Sequence, residues 1–332
     1  MSVAAGASES LLAATDCEAL RALCGDRVRF REPIAAYTSW KIGGPADACI
    51  TLEDRAQLAD VMRFCLRRGV PWFVLGSGSN LLVGDGGIRG LVLRLAGSFA
   101  EIEVALEDEC VVVRAGSSAS MPLLTAKAAS FGALGVDSLA GIPGTVGGSL
   151  RMNAGTDREI GDFAREVWVQ SPAKPDPHLA NVRFGYRHTT LGADAIVSRV
   201  TLCFERGDEA AVRARMHERL VRRKDTQPIA QPNAGSCFRN PEGDKAARLI
   251  EAVGAKGWRE GGAEVSALHA NFINNLGDAT AEDVAILLAR MRRAVYDRFG
   301  VELVLEVHLV GTFISAERSA ARLTTLVRDE NS

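Results

Sequence analysis

Between residues 75 and 90 the chain reads Leu-Gly-Ser-Gly-Ser-Asn-Leu-Leu-Val-Gly-Asp-Gly-Gly-Ile-Arg-Gly, and six of these sixteen residues are glycine. The stretch follows an apolar run over 70–75 that reads as a strand. Glycine permits positive φ and removes side-chain bulk, so successive backbone N–H groups can converge on one anion. A strand feeding such a loop suits a diphosphate. A dinucleotide site of the Rossmann kind needs a helix directly after its glycines. Here residues 80–87 supply apolar residues and then more turn chemistry, which points away from a Rossmann domain.

The chain has 332 residues, enough for two or three domains, and 47% of them are hydrophobic, as in a globular protein. A net charge of −2 gives no global field for nucleic acid. Seven cysteines with no CxxC pair suit reduced thiols better than a disulfide framework or a zinc site. No His/Cys/Asp/Glu group has metal-ligand spacing, so no metal is expected. Residues 1–15 are small and apolar but lack the basic start of a signal peptide, and read as a mobile leader. No apolar run is long enough to span a bilayer. The expectation is a cytoplasmic protein without membrane or nucleic-acid partners, acting as a monomer.

Leu58, Val61, Met62, Cys65 and Leu66 fall at helical spacing, with Thr51 and Asp54 as start signals and Gly69 as the stop. Strands are predicted over 88–95, 110–115, 166–170 and 196–204, and a short helix over 121–131. A second glycine segment, residues 140–149, interrupts the middle of the chain. Helices are predicted after a polar break at 206–209 as far as 224, over 245–253 and over 281–299, the last with Thr280 as N-cap and Gly300 as stop. A strand is predicted over 301–310, with Val301, Leu303, Leu305, Val307 and Leu309 on one face. The pattern is α+β and divides into a leader and helix (1–27), two α/β or strand-rich regions (28–95 and 96–206), a third region (207–312) and a tail (313–332).

Two glycine loops about 60 residues apart suggest one extended ligand held from two sides. The second could equally be a tight turn; a glycine backbone lying against a planar ring needs the same residues. Asn153 adds an amide able to bond a heterocycle. Tyr186-Arg187-His188 follows a Pro-rich loop, and its arginine either forks onto a carboxylate or makes a surface ion pair. Ser236, after Ala-Gly on a turn, can point into a cleft, but no GxSxG elbow surrounds it. Cys237 is either a reactive thiol or a packed small hydrophobe. Glu306 lies opposite the apolar stripe of its strand, solvated or lining a site. His269 is either packed or a ligand. Arg219, Arg222, Arg223 and Lys224 form a solvated helix end or an anion site.

Taken in order, residues 38–47, 75–90, 141–155, 184–187, 233–241, 248–275 and 301–311 resemble the UDP-N-acetylenolpyruvoylglucosamine reductases, also called UDP-N-acetylmuramate dehydrogenases. Residues 256–266, with His269-Ala270-Asn271-Phe272, resemble the shorter, type II form. The resemblance implies a two-subdomain FAD-binding fold of the vanillyl-alcohol-oxidase type plus a C-terminal substrate domain. It implies FAD wrapped at its diphosphate by Gly76, Ser77, Gly78, Ser79 and Asn80, with Gly141, Gly144, Thr145, Gly147 and Gly148 along the flavin. No residue resembles a covalent attachment site, so the FAD is expected to be non-covalent.

The reaction implied has two halves. NADPH gives a hydride to the flavin, which passes it to the enolpyruvyl ether of UDP-N-acetylglucosamine enolpyruvate, yielding UDP-N-acetylmuramate for peptidoglycan precursors. By the same resemblance Arg187 stabilises the developing enolate, Glu306 stands beside it with a raised pKa, and Ser236 delivers the final proton. Tyr186, Lys224, Asn240 and His269 are candidate substrate contacts. Arg151, just after the second loop, departs from the family pattern and would either tune the flavin or face solvent. The rival readings are a flavin oxidase using O₂ and a non-enzymatic nucleotide-sugar-binding module.

Overall fold

The computed structural model describes residues 10–313. The rest of the expected leader and all of the tail beyond Phe313 lie outside the described residues. The leader does not extend to residue 15. Leu11 N–H donates to Asp47 Oδ2 at 3.1 Å, Leu12 is buried in the first core, and helix α1 (Ala14–Cys24) begins at Ala14. A buried leucine and a side-chain hydrogen bond outweigh the segment's small-residue composition.

The first sheet has four strands, in the order Val28–Pro33, Pro45–Leu52, Ile88–Leu95, Trp72–Val74. Ile88–Leu95 runs parallel to both neighbours, and Leu91, Val92 and Leu93 are all buried. Consecutive residues bury together because both faces are covered. Leu91 and Leu93 face helix α2 (Arg55–Arg68), while Val92 faces a smaller cluster with Ile34, Leu75 and Val83. Helix α2 starts where Asp54 Oδ1 accepts the Gln57 N–H at 2.9 Å and stops at Gly69, whose φ of 64° closes the last turn.

The second sheet has five antiparallel strands, ordered Ile102–Glu107, Cys110–Gly116, Ile196–Glu205, Ala164–Ser171, Lys174–Leu179. The proline-rich stretch expected as a loop is the edge strand Lys174–Leu179, where a missing N–H can face solvent. Helices α3 (Met121–Ala129), α4 (Val146–Arg151) and α5 (Glu209–Thr226) pack on this second core through Leu124, Leu150 and Val212. The second glycine segment is therefore not turn throughout. Its last glycines, Gly147 and Gly148, lie in α4, started by Thr145 Oγ1 accepting the Gly148 N–H at 3.3 Å.

The third core gathers helix α6 (Ala246–Ala252), helix α7 (Ala281–Phe299) and the three short strands Arg259–Glu260, Ala263–Val265 and Ile273–Asn275. Three residues from the N-terminal third, Trp40, Ile42 and Leu82, are buried in it. Trp40 Nε1 donates to the Ile273 carbonyl at 2.7 Å, and Asn275 Nδ2 donates to the Trp40 carbonyl at 2.8 Å. The strand predicted over 301–310 is broken. Leu303, Leu305 and Val307 are buried in alternation as expected, but only His308–Val310 forms a ladder, parallel to Leu81–Val83. Upstream, Leu305 makes a single bridge to Phe238. The segment changes partners midway, and a strand persists only along one continuous neighbour.

The first glycine loop also fastens α7. Asp85 accepts the Ala281 N–H on Oδ1 at 3.0 Å and the Glu282 N–H on Oδ2 at 3.3 Å, satisfying two donors of the helix's first turn. Asp85→Ala is expected to lower stability by about 1–2 kcal/mol, the range for a lost cap. Urea unfolding measures this, and an unchanged midpoint would remove Asp85 from the role.

Candidate active site

The two glycine loops, distant in sequence, face each other. Ser79 Oγ donates to the Pro143 carbonyl at 3.5 Å, across 64 residues of chain. At Gly76 a Cβ would stand 2.8 Å from Thr145 Oγ1. At Gly144 it would stand 2.9 Å from Ser79 Oγ and 3.2 Å from Ser77 Oγ, and the φ of 113° there already favours glycine. Side chains at these two positions would fill the slot between the loops. Behind the first loop Gly78 packs on the Tyr37 and Thr38 backbone. No helix follows this loop; strand Leu81–Val83 does, as the rejection of a Rossmann site required.

Two polar groups without partners lie in the segment beside the second loop, where the Ser117 and Ala119 carbonyls accept the Gly147 and Val146 N–H groups. The Ser117 and Ser118 hydroxyls are buried with no hydrogen-bond partner among the described residues, and Ser117 abuts Gly147. A buried hydroxyl left unpaired is costly, so a ligand that bonds it is favoured there. A cavity of about 250 Å³ opens beside the first loop, lined in part by Tyr37, Lys41, Gly76, Ser77 and Arg94. The Arg94 guanidinium stacks 4.3 Å above the Tyr37 ring. On the far side, Arg223 of α5 lies against Gly141, where a Cβ would meet its Cδ at 2.9 Å. Burial lowers the Arg223 pKa from its ordinary value.

Arg187 stands at the tip of a hairpin formed by Phe184–Gly185 and His188–Thr189, with a positive φ of 53°. Positive φ suits such a two-residue tip. Its side chain is only 16% exposed. Nε donates to Glu306 Oε1 at 3.0 Å, Nη1 to Glu159 Oε1 at 3.0 Å, and Nη2 to the Gly155 carbonyl at 2.9 Å. Glu306 is held by its backbone as well. Its N–H donates to the Cys237 carbonyl at 2.8 Å, next to Ser236, and its carbonyl accepts Asn80 Nδ2 at 2.8 Å. Arg187, Glu306, the Ser236 turn and the end of the first glycine loop thus meet, though they come from four separate segments. Burial raises the Glu306 pKa, while Arg187, Arg239 and His308 act to lower it. Burial likewise raises Glu159 against the pull of Arg187.

Other candidates are placed differently. The Asn153 amide does not reach for a ring; it donates to Glu159 Oε2 at 2.5 Å and to the Gly185 carbonyl at 2.9 Å, while Oδ1 accepts the Gly161 N–H at 2.9 Å. Arg151 does not face solvent freely, for it donates to the Gly192 and Ala195 carbonyls and is largely desolvated. Lys224 is exposed, and Arg219 is engaged by Asp137 and Asp157. Asn240 Oδ1 accepts the Ala246 N–H at 3.1 Å, steadying the start of α6. His269 is half-buried; its Nδ1 accepts the Asn271 N–H at 3.3 Å and its ring meets Phe272 edge-on. Burial, then Lys256, lowers its pKa. Tyr186 is 53% exposed beside Arg187. Cys237 is fully buried, its thiol pushed up to about 12 by desolvation, so it is not a nucleophile. Sequence reading missed Glu159, Ser117, Ser118 and the orientation of Arg223. The basic cluster on α5 was a signal for the last; the others carry no motif.

Residues 46–167 match the FAD-binding domain family, and residues 227–310 match the C-terminal domain of UDP-N-acetylenolpyruvoylglucosamine reductase. A protein of Symbiobacterium thermophilum named UDP-N-acetylenolpyruvoylglucosamine reductase 2 is 45% identical over 302 residues, covering 89% of this chain and 96% of that protein. The reductase of Moorella thermoacetica is 43% identical over 288 residues, covering 86% and 94%. The chain belongs to the UDP-N-acetylenolpyruvoylglucosamine reductase family. The crystal structure of a member from Thermus caldophilus superimposes with a TM-score of 0.71 at 36% identity, covering 85% of this chain and 98% of that one. The fold is accordingly α+β, an FAD-binding domain with a C-terminal reductase-family domain, and the chain is an FAD-dependent oxidoreductase. The slot between the glycine loops, into which a Cβ at Gly76 or Gly144 would intrude, fits that cofactor. No helix among the described residues is long and apolar enough to cross a membrane.

Proposed function

We propose that this reductase converts UDP-N-acetylglucosamine enolpyruvate to UDP-N-acetylmuramate with NADPH as reductant, in the cytoplasm, for peptidoglycan precursor synthesis. The observation that carries the reading is the Arg187–Glu306 pair, 3.0 Å apart and backed by the Ser236 turn, at the end of the first glycine loop. Gly76, Ser77, Gly78, Ser79, Gly144 and Thr145, with Ser117 and Ser118, would hold FAD without a covalent bond. Bound FAD supplies hydride transfer from the nicotinamide to the substrate carbon. Arg187 binds the substrate carboxylate and keeps its fork on the charge that grows there. Glu306, protonated, donates to the same group instead of repelling it. Ser236 gives its proton to the neighbouring carbon. Arg223, facing the second loop beside the substrate domain, supplies a cation for a phosphate.

The test is an absorbance spectrum followed by anaerobic titration. The purified chain is expected to be yellow, to bleach with NADPH, and to regain its colour only when the enolpyruvyl substrate is added. Recovery with O₂ and a simple alcohol, and not with that substrate, would reject the proposal.

A further inference from the structure

Arg187 carries more partners than a carboxylate-binding arginine needs. Two carboxylates touch one guanidinium, Glu306 at Nε and Glu159 at Nη1. They are held differently. Glu159 is fixed at both oxygens, because Oε1 accepts from Arg187 and Oε2 from Asn153 Nδ2. Asn153 is 2% exposed and pinned in turn by Gly161 and Gly185, and the Glu159 N–H donates to Asp162 Oδ2 at 2.9 Å. Glu306 meets the guanidinium through Oε1 alone.

We propose that Glu159 is a positioning residue of the reduction: it holds the Arg187 guanidinium at Nη1, leaving Glu306 at Nε as the partner that an arriving substrate carboxylate displaces. The inference rests on the function proposed above. A hairpin-tip arginine with no fixed partner would sample many rotamers, and ordering it at the moment of binding would weaken affinity. A second anion beside Arg187 has another consequence. Two carboxylates already share one guanidinium in a half-buried site, and when the substrate brings a third, one of them relieves the repulsion by taking a proton. Glu306 faces Arg187, Arg239 and His308, whereas Glu159 faces Arg187 and Asp162. Substrate arrival breaks the single bond from Arg187 to Glu306 while Glu159 keeps both of its own, so the displaced Glu306, a buried carboxylate that has lost a cationic partner, is the group that takes the proton.

Glu159→Gln and Glu159→Asp test this. Measured quantities are kcat and KM for the enolpyruvyl substrate across pH, with the rate of flavin reduction by NADPH as the control. Glu159→Gln is expected to lower kcat/KM at least about tenfold, about 1.4 kcal/mol, with flavin reduction unchanged. Activity requires a protonated Glu306, so it falls as pH rises through that group's pKa. With the neighbouring anion gone, Glu306 ionises more readily and this alkaline limb moves to lower pH. Glu159→Asp keeps the charge and leaves the limb where the parent chain has it. A kcat/KM within about twofold of the parent for Glu159→Gln, or equal losses in both variants with the limb unmoved, overturns the proposal. A parent chain that bleaches with NADPH but leaves the enolpyruvyl ether untouched overturns the functional reading, and this proposal with it.

Discussion

Ser236→Ala is expected to lower turnover by about 10²–10⁴-fold, the usual contribution of a positioned proton donor, while NADPH still bleaches the flavin at the parent rate. The asymmetry follows from where the serine sits. Ser236 precedes Cys237, whose carbonyl accepts the Glu306 N–H, which sets its turn beside Glu306, the residue proposed to face the substrate. Neighbouring Cys237 is buried and cannot substitute, because its thiol is held far above neutrality. Removing one hydroxyl from a half-buried turn leaves the local backbone ladder, Cys237 N–H to Asn271 carbonyl and the bridge between Phe238 and Leu305, intact. Stopped-flow traces of the two half-reactions measure the effect separately. Undiminished steady-state turnover would take Ser236 out of the proposed chemistry.

Arg187→Ala is expected to cost about 10²–10³-fold in kcat, roughly 3–4 kcal/mol of transition-state stabilisation, as for loss of one preorganised donor group at a developing anion. The guanidinium is 16% exposed and engages Glu306, Glu159 and the Gly155 carbonyl, so its direction is set before substrate arrives. Arg187→Lys retains the charge but not the fork, and a lysine cannot serve Nε and both terminal positions together. It should recover only a small part of the loss. Single-turnover oxidation of the reduced enzyme by substrate reads this step directly. A loss below about tenfold in Arg187→Ala would argue against enolate stabilisation. Unpaired Glu159 and Glu306 could unsettle the alanine variant, and the lysine variant guards against that reading of a large effect.

Much of the local structure was legible. Helix α7 spans the predicted residues because Thr280, Gly300 and one apolar stripe all signal the same element. Helix α2 likewise runs from its Asp54 cap to Gly69. The loop at residues 76–80 was correctly separated from a Rossmann turn, since the apolar Leu81-Leu82-Val83 that follows forms a strand. The failures share a cause. Residues 301–310 alternate like a strand, but alternation says only which side chains are buried, and pairing switches from Cys237 to the Asn80–Val83 segment partway along. Asn153 looked available to a ligand because nothing in its neighbourhood of the chain announces Glu159, Gly161 and Gly185 as partners. Lys224 and Arg223 are adjacent in sequence; helix geometry turns only the second toward Gly141.

The amino-acid order alone singled out the residue types proposed for the chemistry: two glycine-rich loops, a forked cation, a hydroxyl and a carboxyl, in a sequence that resembles one reductase family. Those are local properties, written in spacing and side-chain chemistry. Only the tertiary structure decided that the loops close on each other, that Glu306 and Glu159 share one guanidinium, and that Asn80 ties the first loop to the Glu306 backbone. These contacts join residues separated by 28 to 226 positions. Their partners are chosen by how the separate hydrophobic cores pack, and no stretch of chain carries that choice on its own.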